Sequence, residues 1–400
     1  MVSDPMVEDP VISYLESHLA DYLADLKYLC AIDSGSYDKA GVDEVQTWLR
    51  DAYARQGFDT RLVPQERFGS DLIARRKGRG GRRVMLLGHA DTVYPPGTAA
   101  ARPVAVEGDV ILGPGTCDMK AGLLAGLYAV RALDASGWQG LDELTIIVVS
   151  DEEIHERHSI DLLLSEGPRH DAILTLEAAR ENGDIVTSRK AGTWLTVDLT
   201  GKAAHAGVEP EKGASAAVAL GHVLVETFKL NDPASGATVN PGELSGGRAP
   251  NIVADSASAR FDLRSWTNAG LDDLRRAFIE AATRPYVAGV TSRVDEENGT
   301  GTPAMERTPG VARLESAAID IASELGFSLK GARTGGGSDI SFAGHRGTPG
   351  LDGLGPVGGL DHGPDEYILL SSIVPRIALL ARLVQLIGDD ERFSYDQRLD

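Results

Sequence analysis

A chain of 400 residues exceeds one ordinary hydrophobic core and implies two domains. Its net charge of −20 excludes the basic surface that a nucleic-acid partner requires. No run reaches the roughly 18 unbroken apolar residues of a membrane span, and Cys30 and Cys117 form no pair motif for a disulfide framework or a thiolate metal site.

The acidic opening, MVSDPMVEDPVISYLESHLA, lacks the basic and then apolar pattern of a secretory leader, so a cytoplasmic location is expected. A helix is expected over about residues 10–30, and VDEVQTWLRDAYARQG repeats apolar residues at helical spacing. RVMLLGHA, LTIIVVS and DAILTLEA are short, continuously apolar runs, as strands buried on both faces are. Between them lie the small-residue helix MKAGLLAGLYAVRALDA and the short helix SIDLLLSE. Alternating strands and helices imply an α/β domain with a mainly parallel sheet. From about residue 190, TWLTVDLT, KGASAAVALGHVLVETFKL, GATVNPGELSGG, ASARFDLRSW, LDDLRRAFIEAAT and GVTSRVDEE follow a βαββαβ order, that of a ferredoxin-like unit serving as a lid or dimerisation platform. The α/β texture returns with VARLESAAIDIASELG, the glycine loop RTGGGSDIS, the strand-like TPGLDGLG and a C-terminal helix, YILLSSIVPRIALLARLVQLIG. The domains are therefore expected at 1–189 (catalytic, first segment), 190–301 (inserted) and 302–400 (catalytic, second segment).

His89, Asp91, Glu152, Glu153 and Glu177 all fall at the carboxyl ends of the predicted strands, the edge where open α/β sheets bind ligands. Singly, each has an ordinary structural role; Asp118 on spacing alone would cap the helix that follows it. Together with Asp118 and His362 they supply the imidazoles and carboxylates of a site for two divalent metals. Asp91 is suited to orient the His89 ring through its other nitrogen. Of the adjacent Glu152 and Glu153, one can ligate while the other acts as general base. His155 and His158 in IHERHS are three apart rather than the four of a zinc-protease helix, and read as loop histidines. The triple glycine of RTGGGSD lacks the Lys-Ser/Thr of a phosphate loop; it reads as a place of close backbone approach.

With GHADTVYPPG, GTCDMKAGLLAGLYA, VVSDEE, TLEAAR, GKAAHAGVEP, PNIVAD, FDLR, RTGGGSD and GGLDHGPDEYI in order, the chain resembles the zinc-dependent aminoacylase and carboxypeptidase family, specifically its bacterial glutamate carboxypeptidases. The resemblance implies two Zn2+ per subunit, with Co2+ or Mn2+ acceptable to the same donors. By it, Asp118 bridges the ions, His89 and Glu177 complete one site, and Glu153 and His362 complete the other. It makes Glu152 the base, makes Asp118–Met119 a cis peptide, and places His205 in a homodimer partner's site as oxyanion donor. Asn251, Arg264, Lys190 and Arg333 become substrate contacts. It implies hydrolysis of N-acyl amino acids or short peptides, with an acidic C-terminal residue in view; the alternatives are an aminoacylase or deacylase of other N-acyl amino acids, and a non-catalytic metal-binding protein. Three departures stand out: His155-Glu156-Arg157 replace the usual Gly-Ser, Thr302 stands where an arginine is frequent, and DMKAG replaces DMKGG.

Overall fold

Apolar runs without alternation become the central strands. Arg83–His89 is buried from Val84 onward and Glu143–Val149 throughout, as parallel strands covered on both faces are. Arg83–His89 lies between Glu143–Val149 and Ala172–Thr175, parallel to both, and Ala172–Thr175 in turn pairs in parallel with Gly350–Leu351. The other edge of this six-stranded sheet is antiparallel, Asp71–Lys77 pairing with Glu143–Val149 and Asp59–Val63 with Asp71–Lys77. The three central parallel strands end on one edge. That edge presents His89, the stretch Ser150–Glu153 and Glu177. The computed structural model describes residues 9–154, 157–296 and 301–399, so His155, Glu156, Glu297, Asn298, Gly299 and Thr300 lie outside the described residues.

Two compact units divide the chain. The first comprises Met1–Thr187, Arg307–Arg333 and Ser338–Asp400 and contains this sheet. Helix Lys39–Arg55, capped by Asp38 on Gly41 N, buries Val42, Val45, Leu49 and Ala52 at helical spacing. Helix Ala121–Ala135 is buried on nearly every side. Its small residues let it lie directly on the sheet: a Cβ at Gly122 would come within 1.8 Å of Leu176 O. The C-terminal helix, Ile373–Asp389, packs on it. Leu370–Asp389 is long and apolar enough to cross a membrane, yet it is over half buried inside this unit, as a core helix is.

Two sequence expectations shift here. The first helix is two, Pro10–Ser17 and Leu19–Cys30, broken at His18. The last begins at Ile373, because Tyr367–Leu369 is drawn into a small sheet and Leu370–Ser372 is a 3-10 turn. In that small sheet Tyr367–Leu369 pairs with both Gly358–Gly359 and Val110–Leu112, and Ala105–Glu107 completes it. It brings the hairpin bearing His362 alongside the segment leading to Asp118.

The second unit, Ser188–Glu306 with Thr334–Gly337, has the βαββαβ order. Its antiparallel sheet runs Thr238–Gly246, Ser256–Ser265, Ala191–Thr200, Thr291–Glu296 across, with helices Ala216–Phe228 and Asn268–Ala282 on one face. Alternation decides the faces. Leu195, Val197 and Leu199, with Phe261 and Leu263, turn to the helices, and Phe261 meets Phe278 edge-on at 4.8 Å. Trp194, Arg260, Asp262 and Arg264 occupy the alternate positions.

Candidate metal centre

His89 ends its strand almost wholly buried. Its Nε2 lies 2.9 Å from Asp118 Oδ1 and 3.7 Å from Glu177 Oε1. The other oxygen of Asp118, Oδ2, lies 3.1 Å from His362 Nε2, which is also 3.2 Å from Glu153 Oε2. One carboxylate thus offers an oxygen to each imidazole, and each imidazole has a second carboxylate behind it. Asp118 is displayed by the turn Thr116–Lys120, and its peptide to Met119 is cis.

Asp91, fully buried, does more than face the ring. His89 Nδ1 is 3.0 Å from Asp91 main-chain O and 3.4 Å from its Oδ1. The Asp91 carboxylate accepts the backbone N–H groups of Glu152 and Glu153, both at 3.1 Å, and the Ser36 hydroxyl at 2.6 Å. It therefore sets where both glutamates begin.

The electrostatics are those of crowded acids. Loss of water, with the Asp339 charge in the same direction, pushes the Glu152 carboxyl well above the carboxylate range. Burial also raises Glu153 and brings Glu177 to about 7. Hydrogen bonds with Asp118 and Glu153 lift His362 to about 11. For His89, burial works the other way, yet the Glu177 charge and the bond to Asp118 raise it. Asp118 is held low against its burial by His362 and His89.

The sequence profile of peptidase family M20/M25/M40 matches residues 85–386, a span holding every residue of this cluster. The chain belongs to that family. Carboxypeptidase G2 of a Pseudomonas species is 30% identical over 91% of this chain and 88% of its own. An acetylornithine deacetylase of Edwardsiella ictaluri is 26% identical, covering 92% and 98%. Among solved structures, aminopeptidase PepT from Bacillus cereus superposes with a TM-score of 0.77 at 21% identity, over 93% of this chain and 99% of that one. As a member of peptidase family M20/M25/M40, the protein is a metal-dependent hydrolase of peptides or N-acyl amino acids.

The residues present fit a cation. His89, Asp118 and Glu177 can each turn a ligand atom into one space, with all three atoms within 4.8 Å of one another, and so can Asp118, Asp361 and His362. Glu153 Oε1 is buried without a hydrogen-bond partner. Histidine nitrogen and carboxylate oxygen suit zinc, cobalt and manganese alike.

Some site residues carry no sequence signal for their partners. Arg157 pairs with the buried Asp339 of the glycine-rich loop. His158 stacks on Phe68, with Nδ1 2.9 Å from Asp151 Oδ2 and Nε2 3.5 Å from Asp71 Oδ2. In this third His-carboxylate group the two acids are tied to their own loop: Asp151 accepts from the Ser159 hydroxyl and the backbone N–H of His158, Asp71 from Ser150. It pins the loop that carries Glu152 and Glu153.

The remaining predicted residues divide between the units. In the second, His205 is exposed, accepts Gly207 N–H at Nδ1 and bridges Ile252, so KAAHAG and PNIVAD lie side by side; Ala206 N–H donates to Asn251 O. Arg264 grips Asp262 with Nε and Nη2 and donates from Nη1 to Gly335 O. Lys190 Nζ lies 5.1 Å from the centre of the Trp266 ring. Thr302 exchanges backbone bonds with Gly192 and packs against Gly337, the close approach expected of the triple glycine. Arg333 is exposed in the first unit.

Proposed function

We propose that the protein hydrolyses the amide bond of N-acyl amino acids or short peptides with two divalent ions, zinc by preference, and releases the C-terminal amino acid as a glutamate carboxypeptidase does. The observation that carries this reading is the shared carboxylate of Asp118, one oxygen toward each of two carboxylate-backed imidazoles. His89, Asp118 and Glu177 would hold one ion and Asp118, Glu153 and His362 the other. When bound, the ions polarise the amide carbonyl, acidify water and favour the ionised form of the crowded acids.

Glu152 takes the proton of the attacking water and delivers it to the leaving amine nitrogen. Asp91 holds the Glu152 backbone during both transfers. His205 donates to the developing oxyanion, and Asn251, Lys190, Arg264 and Arg333 meet the substrate, Arg264 as a fixed charge set by Asp262. The chain acts as a homodimer through the second unit, with His205 serving the partner's site. Exposed Val218, Val225 and Phe228 share one side of helix Ala216–Phe228, and Leu244 is exposed on an edge strand, both in keeping with a second copy as the partner. The acetylornithine deacetylase relative, and Thr302 in place of an arginine, favour a deacylase of less acidic substrates as the second reading.

A panel of N-acyl amino acids with acidic, apolar and basic C-terminal residues, with and without chelator, decides between the two. E152A should keep about two ions per chain, the number of a co-catalytic pair, and lose turnover; retained turnover removes Glu152 as the base. Mixing E152A with H205A chains should restore activity, since one of the mixed sites has both groups. No recovery would remove His205 from the partner's site.

A further inference from the structure

The GGLDHGPDEY stretch contributes His362, but its most constrained side chain is Glu366, which is 1% exposed. Its Oε1 accepts the N–H groups of Cys117 (2.7 Å) and Asp118 (2.9 Å). Its Oε2 accepts the N–H of Gly115 (2.8 Å) and lies 2.7 Å from the Tyr94 hydroxyl. That hydroxyl is also 2.8 Å from Gly363 O, one residue past His362, and Arg102 donates to the same carbonyl at 3.1 Å while its guanidinium lies 4.7 Å from the Tyr94 ring centre. Three loops meet here: the one following His89 and Asp91, the one displaying Asp118, and the one displaying His362.

The third loop needs holding. Leu360 and His362 both adopt left-handed backbone conformations, with φ of 56° and 62°, which non-glycine residues seldom keep unless the surroundings impose them. The His362 side chain is half exposed, so packing does not impose them. Beside the Gly363 N–H to Leu360 O bond within the turn and the strand pairing of Gly358–Gly359 with Tyr367–Leu369, the polar set on Gly363 and Glu366 ties this loop to the other two.

We propose that Glu366, clasped by Tyr94, is a positioning residue that fixes Asp118 relative to His362 and makes the second ion's site depend on the first loop. The inference rests on the two-ion reading above. A carboxylate alone suits the place, because it can accept from all four donors. Glutamine has one acceptor oxygen, and its NH2 would face either the Cys117 and Asp118 pair or Gly115. Loss of such an outer partner costs about 10- to 100-fold in metal affinity. Glu366 sits behind both His362 and the bridging aspartate, so the ion held by Glu153 and His362 should suffer more than the one held by His89 and Glu177.

The test is calorimetric titration of the chelator-treated full chain with Zn2+, for wild type, E366Q and Y94F. Wild type should take up about two equivalents, as a co-catalytic site does. In both variants the first equivalent should bind nearly as before and the second about 10- to 100-fold more weakly. Y94F keeps the three backbone donors on Glu366, so it decides the matter if E366Q does not fold. Unchanged affinity for both equivalents in Y94F would overturn the proposal. So would an equal weakening of both, which means that the clasp serves the fold and not the arrangement of ligands. A wild type that takes up one equivalent would refute the two-ion reading instead. The clasp is then judged on that equivalent, supported by at least tenfold weakening in both variants and overturned by none.

Discussion

The Arg157–Asp339 pair offers a sharp test of how this site tolerates buried acids. Arg157 is 8% exposed and Asp339 fully buried, and they join the loop after Glu153 to the loop after the triple glycine. Asp339 Oδ1 meets the guanidinium; Oδ2 is buried with no hydrogen-bond partner. Burial raises the Asp339 carboxyl, and the Arg157 charge is the main opposing influence. Replacing Arg157 with Met therefore strands a buried carboxylate, a loss of about 3–5 kcal/mol. For a unit of this size that is a fall of about 6–10 °C in melting temperature. D339N should cost less, because the guanidinium keeps the Ser159 hydroxyl, the Phe342 ring and the nearby charges of Glu152 and Asp151. The double variant R157M/D339L should melt close to wild type, since an apolar pair of similar volume removes both charges together. Scanning calorimetry of these chains, with D339L alone completing the cycle, checks this. A shift for R157M of less than about 1 kcal/mol, or a double variant as unstable as the sum of the singles, would refute the reasoning.

Four further outcomes follow from the structure. His158 is held at about 9 because, against burial, hydrogen bonds to Asp151 and Asp71 favour its charged form. Its contribution to stability is full below the unfolded value of about 6.5 and is lost as pH rises through about 9; thermal melts of wild type and H158Q across that window should converge at the alkaline end. His170, brought to about 4 by burial, carries the opposite sign: its contribution holds above about 6.5 and is lost as pH falls through about 4, which H170N should show as a flattened acid limb. G122A places a methyl against Leu176 O and should cost about 1–3 kcal/mol by thermal denaturation, with weaker metal uptake because Leu176 precedes Glu177; a neutral effect would mean the helix can shift freely. D91N leaves one of the Glu152 and Glu153 N–H groups facing an amide, and metal titration should show affinity lowered about 10- to 100-fold.

What could be read in the sequence was what short-range pattern encodes. His89, Glu153 and Glu177 were visible because continuous apolar runs end at or near them, and parallel pairing puts those ends on one edge. The insertion was visible through its alternation, which the sheet of the second unit uses to sort core from polar face. The antiparallel edge was not: Asp71–Lys77 closes on Arg75, Arg76 and Lys77, and Asp59–Val63 has no buried residue, so neither resembles a buried strand. The approach of His362 to Asp118 rests on strands of two and three residues, too short for any period to register. The Arg157–Asp339 and Asp71–His158 pairs join residues far apart in the chain and leave no local trace.

These pairs show how the site divides its charge. Asp71 and Asp151 share His158, and Asp339 has Arg157, so the acids behind the two glutamates carry cations of the chain's own. In front, the ion-pair partners of Asp118, Glu153 and Glu177 among the described residues are the imidazoles of His89 and His362. Those imidazoles are driven upward by the same acids, and burial raises Glu153 and Glu177 despite them. The acids behind are thus paired within the fold, whereas in front burial still raises Glu153 and Glu177 although both imidazoles face them, which is the side a cation would relieve. The charge of the chain as a whole says little about this; the placement of Arg157 and His158 behind the two glutamates is what sets the two sides apart.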